Sequence, residues 1–299
     1  MKLKSGLALS MNKLKFVIER VMNLLFLLCG LVAVGCVALI TVYIFIAGTP
    51  AIAQIGLKEF ILGTVWKSTA AEPSFGILPF ILTSLFGTLG AIILGVPVGL
   101  LTAVFLSRMA PPRVAAVVNS AVELLAGIPS VVYGLIGMLL LVPTLADLFD
   151  LASGACLLAA IIVLAIMILP TIISLSVTAL NAVPPEYEQA SLALGATPVE
   201  TWFKVSVPAA KSGIAAGVVM GIGRAIGEAM AVMMVAGNVA NMPGLFKSVT
   251  FLTTAVAKEM GYASGLQRQA LFSIALVLFL FIMLINAFLN LVLKGGDKE

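Results

Sequence analysis

Two ionisable residues stand where a simple membrane anchor has no use for them. Arg224 and Glu228 lie four positions apart in the otherwise apolar run from Gly213 to Val239. Read as helix, that spacing puts both on one face near the middle of a span. A charge at such depth costs about 2.5–3.5 kcal/mol on the insertion scale, so two of them call for a reason. One is the holding of an oxyanion: a guanidinium meets it with two parallel hydrogen bonds, and a nearby carboxylate orients the guanidinium. The alternative is a pair that only neutralises itself, with Gly213, Gly217 and Gly221 packing against a neighbouring helix.

Two further positions belong beside this pair. Pro129 and Ser130 fall at the middle of another apolar run, where proline frees backbone groups that are tolerated when they line a cavity. A plain proline kink is the other reading. Glu123, about two turns earlier, either pairs with Arg224 across the bundle or faces water.

The elements that must position these residues follow from composition. Hydrophobic residues make up 62% and charged residues 10% of 299, against roughly 45–50% and about 25% in a soluble domain. The chain is therefore an all-α polytopic membrane protein, with no length left for a second folded domain. It has no histidine, which removes the commonest general base and zinc ligand. Cys29, Cys36 and Cys156 sit in apolar runs and read as small buried hydrophobes. Cys29 and Cys36, about 10 Å apart along one helix, are too distant for a disulfide. No Gly-x4-Gly-Lys-[Ser/Thr] loop is present, so the chain is not itself an ATPase.

Hydropathy divides the chain into six spans, at about 21–47, 77–106, 114–141, 151–180, 213–239 and 270–293. Trp66, in the first loop, reads as an interface anchor. With the N-terminus inside, eleven Lys and Arg fall on inner segments and five (Lys58, Lys67, Lys247, Lys258, Arg268) on outer loops, leaving Arg224 within the membrane. That bias predicts a cytoplasmic segment 1–20, one transmembrane domain over 21–293 and a cytoplasmic tail 294–299, with both termini inside.

The inner loop 181–212 is strongly specified. Pro184-Pro185 with Glu186 and Glu188 opens a helix that Gly195 should stop in the left-handed conformation. Thr197-Pro198-Val199-Glu200 is a capping box that opens a second short helix, closed by Pro208. Its apolar residues, Leu192, Leu194, Trp202, Phe203 and Val205, suit either another protein's groove or the membrane surface.

Gln189-Ala190-Ser191, with Gly195 six residues after Gln189 and then Val205, Val207 and Pro208, resembles the EAA loop of ABC importer permeases. Gln189 stands where that family usually has Glu, with Glu186 and Glu188 beside it. Gly127-Ile-Pro-Ser-Val-Val-Tyr-Gly134 and Gly223-Arg-Ala-Ile-Gly-Glu-Ala-Met-Ala-Val-Met-Met-Val-Ala-Gly-Asn238 are similar to the phosphate-specific importer permeases, closer to their PstC-like than their PstA-like subunit. Leu252-Thr-Thr, Lys258 to Ala263 and Leu284-Ile-Asn286 fit as well, so the resemblance covers most of the chain from the second span onward.

The resemblance implies a type I ABC importer permease in a bacterial or archaeal inner membrane, working by alternating access. Its implied partners are a PstA-like second permease, two PstB-like ATP-binding subunits carrying ATP and Mg, and an external PstS-like phosphate-binding protein. The chain itself would bind no cofactor, and no nucleic acid is expected. Glu188, Gln189, Ala190, Gly195 and Pro208 would belong to the coupling element, and Arg224, Glu228, Ser130 and Glu123 to the substrate pathway. Glu228 could then accept a hydrogen bond from a protonated phosphate, which sulfate cannot offer. A permease for another oxyanion or small solute, a secondary carrier and a membrane scaffold or sensor are the competing readings.

Overall fold

The computed structural model describes residues 2–70 and 72–295. It is a helical bundle with α7 (Leu157–Asn181) at its centre, and five helices pack on it: α3 (Leu78–Val104), α4 (Pro112–Gly127), α5 (Ser130–Ile136), α11 (Lys211–Gly227) and α12 (Met230–Val235). The first half of α7, residues 157–170, is apolar on all sides and mostly buried, as a helix enclosed by others must be. Small residues let its neighbours approach. A Cβ on Gly95 of α3 would lie 2.8 Å from Ile168, and one on Gly99 2.8 Å from Ile172. On the other side of α7, Gly213 faces Ala179, Gly217 faces Leu175, and Gly221 faces Ile172. The glycine series of α11 is thus a packing seam in the small-residue style of membrane helices, as the self-neutralising reading expected of it.

Among the described residues, five helical stretches are long and apolar enough to cross a membrane: Ile18–Ile55, Leu78–Met109, Ser130–Leu148, Leu157–Asn181 and Gly265–Ala287. Helix α11 joins them only with the preceding Pro198–Ala209, which meets it at 72°. Two boundaries move relative to the hydropathy reading. The span placed at 114–141 is broken at Ile128-Pro129, and the one placed at 213–239 is broken at Glu228-Ala229. Helix α1 (Lys2–Ile55) lies along the outside, touching α14 (Gly265–Gly295) around Gly48 and Tyr43. Cys29 and Cys36 are exposed on α1, contrary to the buried expectation, whereas Cys156 is buried.

Among the described residues, three π turns interrupt the helices: Phe105–Met109, Gly137–Leu141 and Trp202–Ser206. In each, the residue just before a proline (Ala110, Val142, Val207) donates its N–H to the carbonyl five positions back. A proline ring crowds the carbonyl four back, and one widened turn moves that carbonyl aside.

A small cap closes one end of the bundle. It holds α2 (Leu57–Leu62), the two-residue strands β1 (Trp66–Lys67) and β2 (Ser74–Phe75), which pair antiparallel, and α13 (Leu252–Glu259). Trp66 is not an interface anchor. It is buried against Phe75 and Phe80, and its indole N–H donates to Glu259 Oε1 at 3.2 Å. Once the loop folds over its apolar ring, the indole N–H needs an internal acceptor, and Glu259 supplies one.

Candidate functional site

Both broken crossings fail at a glycine followed by extended backbone. After Gly127, Ile128 takes ψ 128° and Pro129 ψ 140°, as a residue before proline must avoid the helical region. The carbonyl of Leu125 that the break releases accepts the hydroxyl of Tyr133 from α5 at 2.8 Å. After Gly227, Glu228 takes ψ 129°, and α12 begins at Met230. Here no proline acts. Instead the Glu228 carboxylate turns forward and accepts the backbone N–H of Ala231 at 3.1 Å, satisfying a donor at the start of α12. Its own carbonyl accepts Thr253 Oγ1 from α13 at 2.7 Å.

The segments beyond the two breaks pack tightly on each other. A Cβ on Gly134 of α5 would lie 2.8 Å from Ala231 Cα and 2.9 Å from Met234 Sδ of α12, and one on Gly137 2.8 Å from Val235. The two interruptions therefore lie side by side. Arg224 stands in the last turn of α11, one turn before the break at Glu228.

Arg224 and Glu228 do not form an ion pair. Arg224 is half-buried and has neither a hydrogen bond nor a carboxylate within 4.0 Å among the described residues. Glu228 does not orient it, because the break removes the four-residue helical relation and the carboxylate caps α12 instead. Glu123 is exposed on α4 and does not reach Arg224. Ser130 is half-buried at the first position of α5, and its hydroxyl makes no hydrogen bond among the described residues. Ser130 and Glu228 thus sit at the breaks, Arg224 lies one turn before one of them, and Glu123 is exposed on α4. The capping role predicts that Glu228→Ala lowers the thermal stability of the purified protein by about 1 kcal/mol. Glu228→Gln, whose amide oxygen still accepts, should leave it unchanged.

The loop at the other end follows its local signals closely. Helix α8 (Pro185–Ala193) ends before Gly195, whose φ is 90°. Thr197 and Glu200 form the reciprocal capping box at the start of α9 (Pro198–Thr201), with bonds of 3.1 and 3.3 Å. Pro208 does not close the helix: the π turn lets the helical run continue through α10 (Val207–Ala209). Gln189, Ala190, Glu186 and Tyr187 are exposed, and Leu194 is 90% exposed. Glu188 faces the other way, into a cluster that sequence reading missed. Its Oε1 accepts Arg108 Nε at 2.6 Å and Ser206 Oγ at 2.8 Å. Arg108 belongs to the π turn that follows α3. The Ala110-Pro111 pair that forces this turn was the available signal; what Arg108 would meet is a tertiary fact.

The family model described as binding-protein-dependent transport system inner membrane component matches residues 95–295. The chain is 38% identical over 267 residues to the probable ABC transporter permease protein YqgH of Bacillus subtilis (strain 168), covering 86% of each. It is 35% identical to the phosphate transport system permease protein PstC of Pasteurella multocida, covering 76% of this chain and 78% of that one. For the probable PstC of Methanocaldococcus jannaschii the identity is 32%, over 83% and 85%. Among solved structures, inward-facing conformations of the MetNI methionine ABC transporter match at 19% identity with a TM-score of 0.60, covering 74% of this chain and 95% of that one. At that identity the likeness concerns the fold.

Proposed function

The chain belongs to the binding-protein-dependent transport system inner membrane component family, and from that premise we propose that it is the PstC-like permease subunit of an ATP-driven importer of inorganic phosphate. The observation that carries the substrate class is Arg224. It is a guanidinium at a broken crossing, left without a carboxylate partner among the described residues, in a chain similar to phosphate permeases. An unneutralised cation at membrane depth is costly, and an anionic substrate would neutralise it in transit. Ser130, beside the adjoining break, offers a neutral donor to the same anion. Glu228 keeps one oxygen for the α12 cap, which leaves the other to accept a hydrogen bond from a protonated phosphate.

The protein is a multi-pass inner membrane protein. The Lys and Arg bias supports both termini in the cytoplasm, with segment 1–20 and the tail 294–299 flanking a single domain 21–293; residues 296–299 lie outside the described residues. Loop 181–212 then faces the cytoplasm as the element that meets two PstB-like ATP-binding subunits. The exposed Gln189, Ala190, Glu186 and Leu194 support that role, as do Gly195 and Pro208 by setting the shape of the loop, whereas Glu188 serves it from within. A single permease supplies half of a pathway, so a PstA-like partner completes it, and a PstS-like binding protein delivers phosphate to the capped end. ATP and Mg belong to the ATP-binding subunits.

The test is ATP-dependent uptake of labelled phosphate by the reconstituted complex with excess arsenate, sulfate or molybdate. Competition by arsenate alone is the expected result. Competition by sulfate or molybdate, or absence of phosphate uptake, would remove the substrate assignment.

A further inference from the structure

Arg108 makes more side-chain contacts between elements than any sequence motif announces. Its Nε donates to Glu188 on α8 at 2.6 Å, its Nη2 to the carbonyl of Leu180 at 2.6 Å, and its Nη1 to Asn181 Oδ1 at 3.4 Å. Leu180 and Asn181 are the last residues of α7, whose terminal carbonyls lack partners within the helix and favour a cation nearby. Glu188 also accepts the hydroxyl of fully buried Ser206 from the π turn after α9. The side chains of the pair are only 14% and 22% exposed, so this is an enclosed contact and not a solvated surface pair.

We propose that Arg108 is a positioning residue for transport, a strut that fastens α8 to the ends of α3 and α7 so that motion imposed on the loop reaches the pathway. The route beyond it is contiguous. Helix α7 carries Ile168 and Ile172 into the glycine seam of α11 at Gly221, one turn before Arg224. The π turn sets the strut: Arg108 lies within it, so the widened turn aims its side chain differently from a regular helix. The inference rests on the reading of α8 to α10 as the element that meets the ATP-binding subunits.

The experiment uses the assembled importer in vesicles and measures phosphate taken up per ATP hydrolysed for Arg108→Gln, Glu188→Gln and the double variant. The expected result is that each single variant still co-purifies with the ATP-binding subunits and hydrolyses ATP at close to the normal rate. Uptake per ATP should fall about tenfold, and the double variant should be no worse than either single, as for two ends of one contact. Uptake per ATP that stays unchanged, or losses that multiply in the double variant, would overturn the strut. So would loss of the ATP-binding subunits together with hydrolysis, which would make Arg108 a local support of the docking surface. Should Arg108→Gln fail to assemble, the milder Glu188→Gln decides, and normal coupling there also overturns it. Leu194→Glu on the exposed face tests the underlying reading separately: ATP-binding subunits that stay bound to this variant remove the docking role itself, whatever Arg108 does.

Discussion

Arg224→Gln is expected to lower phosphate uptake by about 100-fold while the complex assembles normally. Removing a bidentate, charge-assisted contact to an anion costs roughly 3 kcal/mol, and each 1.4 kcal/mol is about tenfold. The loss should fall on transport and not on folding, because the guanidinium has no intramolecular hydrogen bond or ion pair among the described residues to lose. Arg224→Lys keeps a point charge without the planar fork, so an intermediate loss of about tenfold is expected. Labelled uptake at saturating ATP, beside the yield of co-purified subunits, measures both. Full uptake by the lysine and glutamine variants would show that Arg224 holds no substrate.

That prediction depends on a correction the structure makes. As a continuous helix, the run from Gly213 to Val239 presents Arg224 and Glu228 as neighbours on one face, with glycines narrowing the same face. The break at Glu228 separates the three features. The glycines pack on α7, Glu228 caps α12, and Arg224 alone keeps an uncommitted charge. Nothing local marks this break as proline marks the one at Pro129. Gly227 followed by an acid resembles a helix stop and start, yet four of the residues after it are good helix formers, and burial against α5 decides the outcome.

What was legible in the sequence was local or periodic. Gly195 stops α8 because φ near 90° excludes a side chain at little cost only for glycine, and Thr197 with Glu200 forms its box within four residues. The apolar runs located the helices because lipid demands length and hydropathy from each. Trp66, Glu188 and Arg108 were misread or missed for one shared reason. Each polar atom finds its partner far along the chain: Trp66 in Glu259, Arg108 in Glu188 and Leu180. Spacing cannot show a contact that folding creates.

Two glycines, one at the break after α4 and one within α5, allow the site's geometry to be tested apart from its charge. Gly134 and Gly127 lie seven residues apart in one motif and look interchangeable by sequence. In the structure they are not. A Cβ at Gly134 would press on the backbone of Ala231, at 2.8 Å from Cα and 3.0 Å from the carbonyl oxygen, which cannot rotate away as a side chain can. A Cβ at Gly127 meets nothing within 4 Å. Gly134→Val should therefore force α5 and α12 apart, costing at least about 1–3 kcal/mol as overpacking does, and displace both breaks from Arg224. Uptake should fall to background, with a lower melting temperature of the complex. Gly127→Ala, in a helical position with open space, should be neutral or stabilise by up to about 1 kcal/mol through the unfolded chain, with uptake retained. Equal effects at the two positions would mean that α5 and α12 do not meet at the breaks, and the site built around their junction would have to be abandoned.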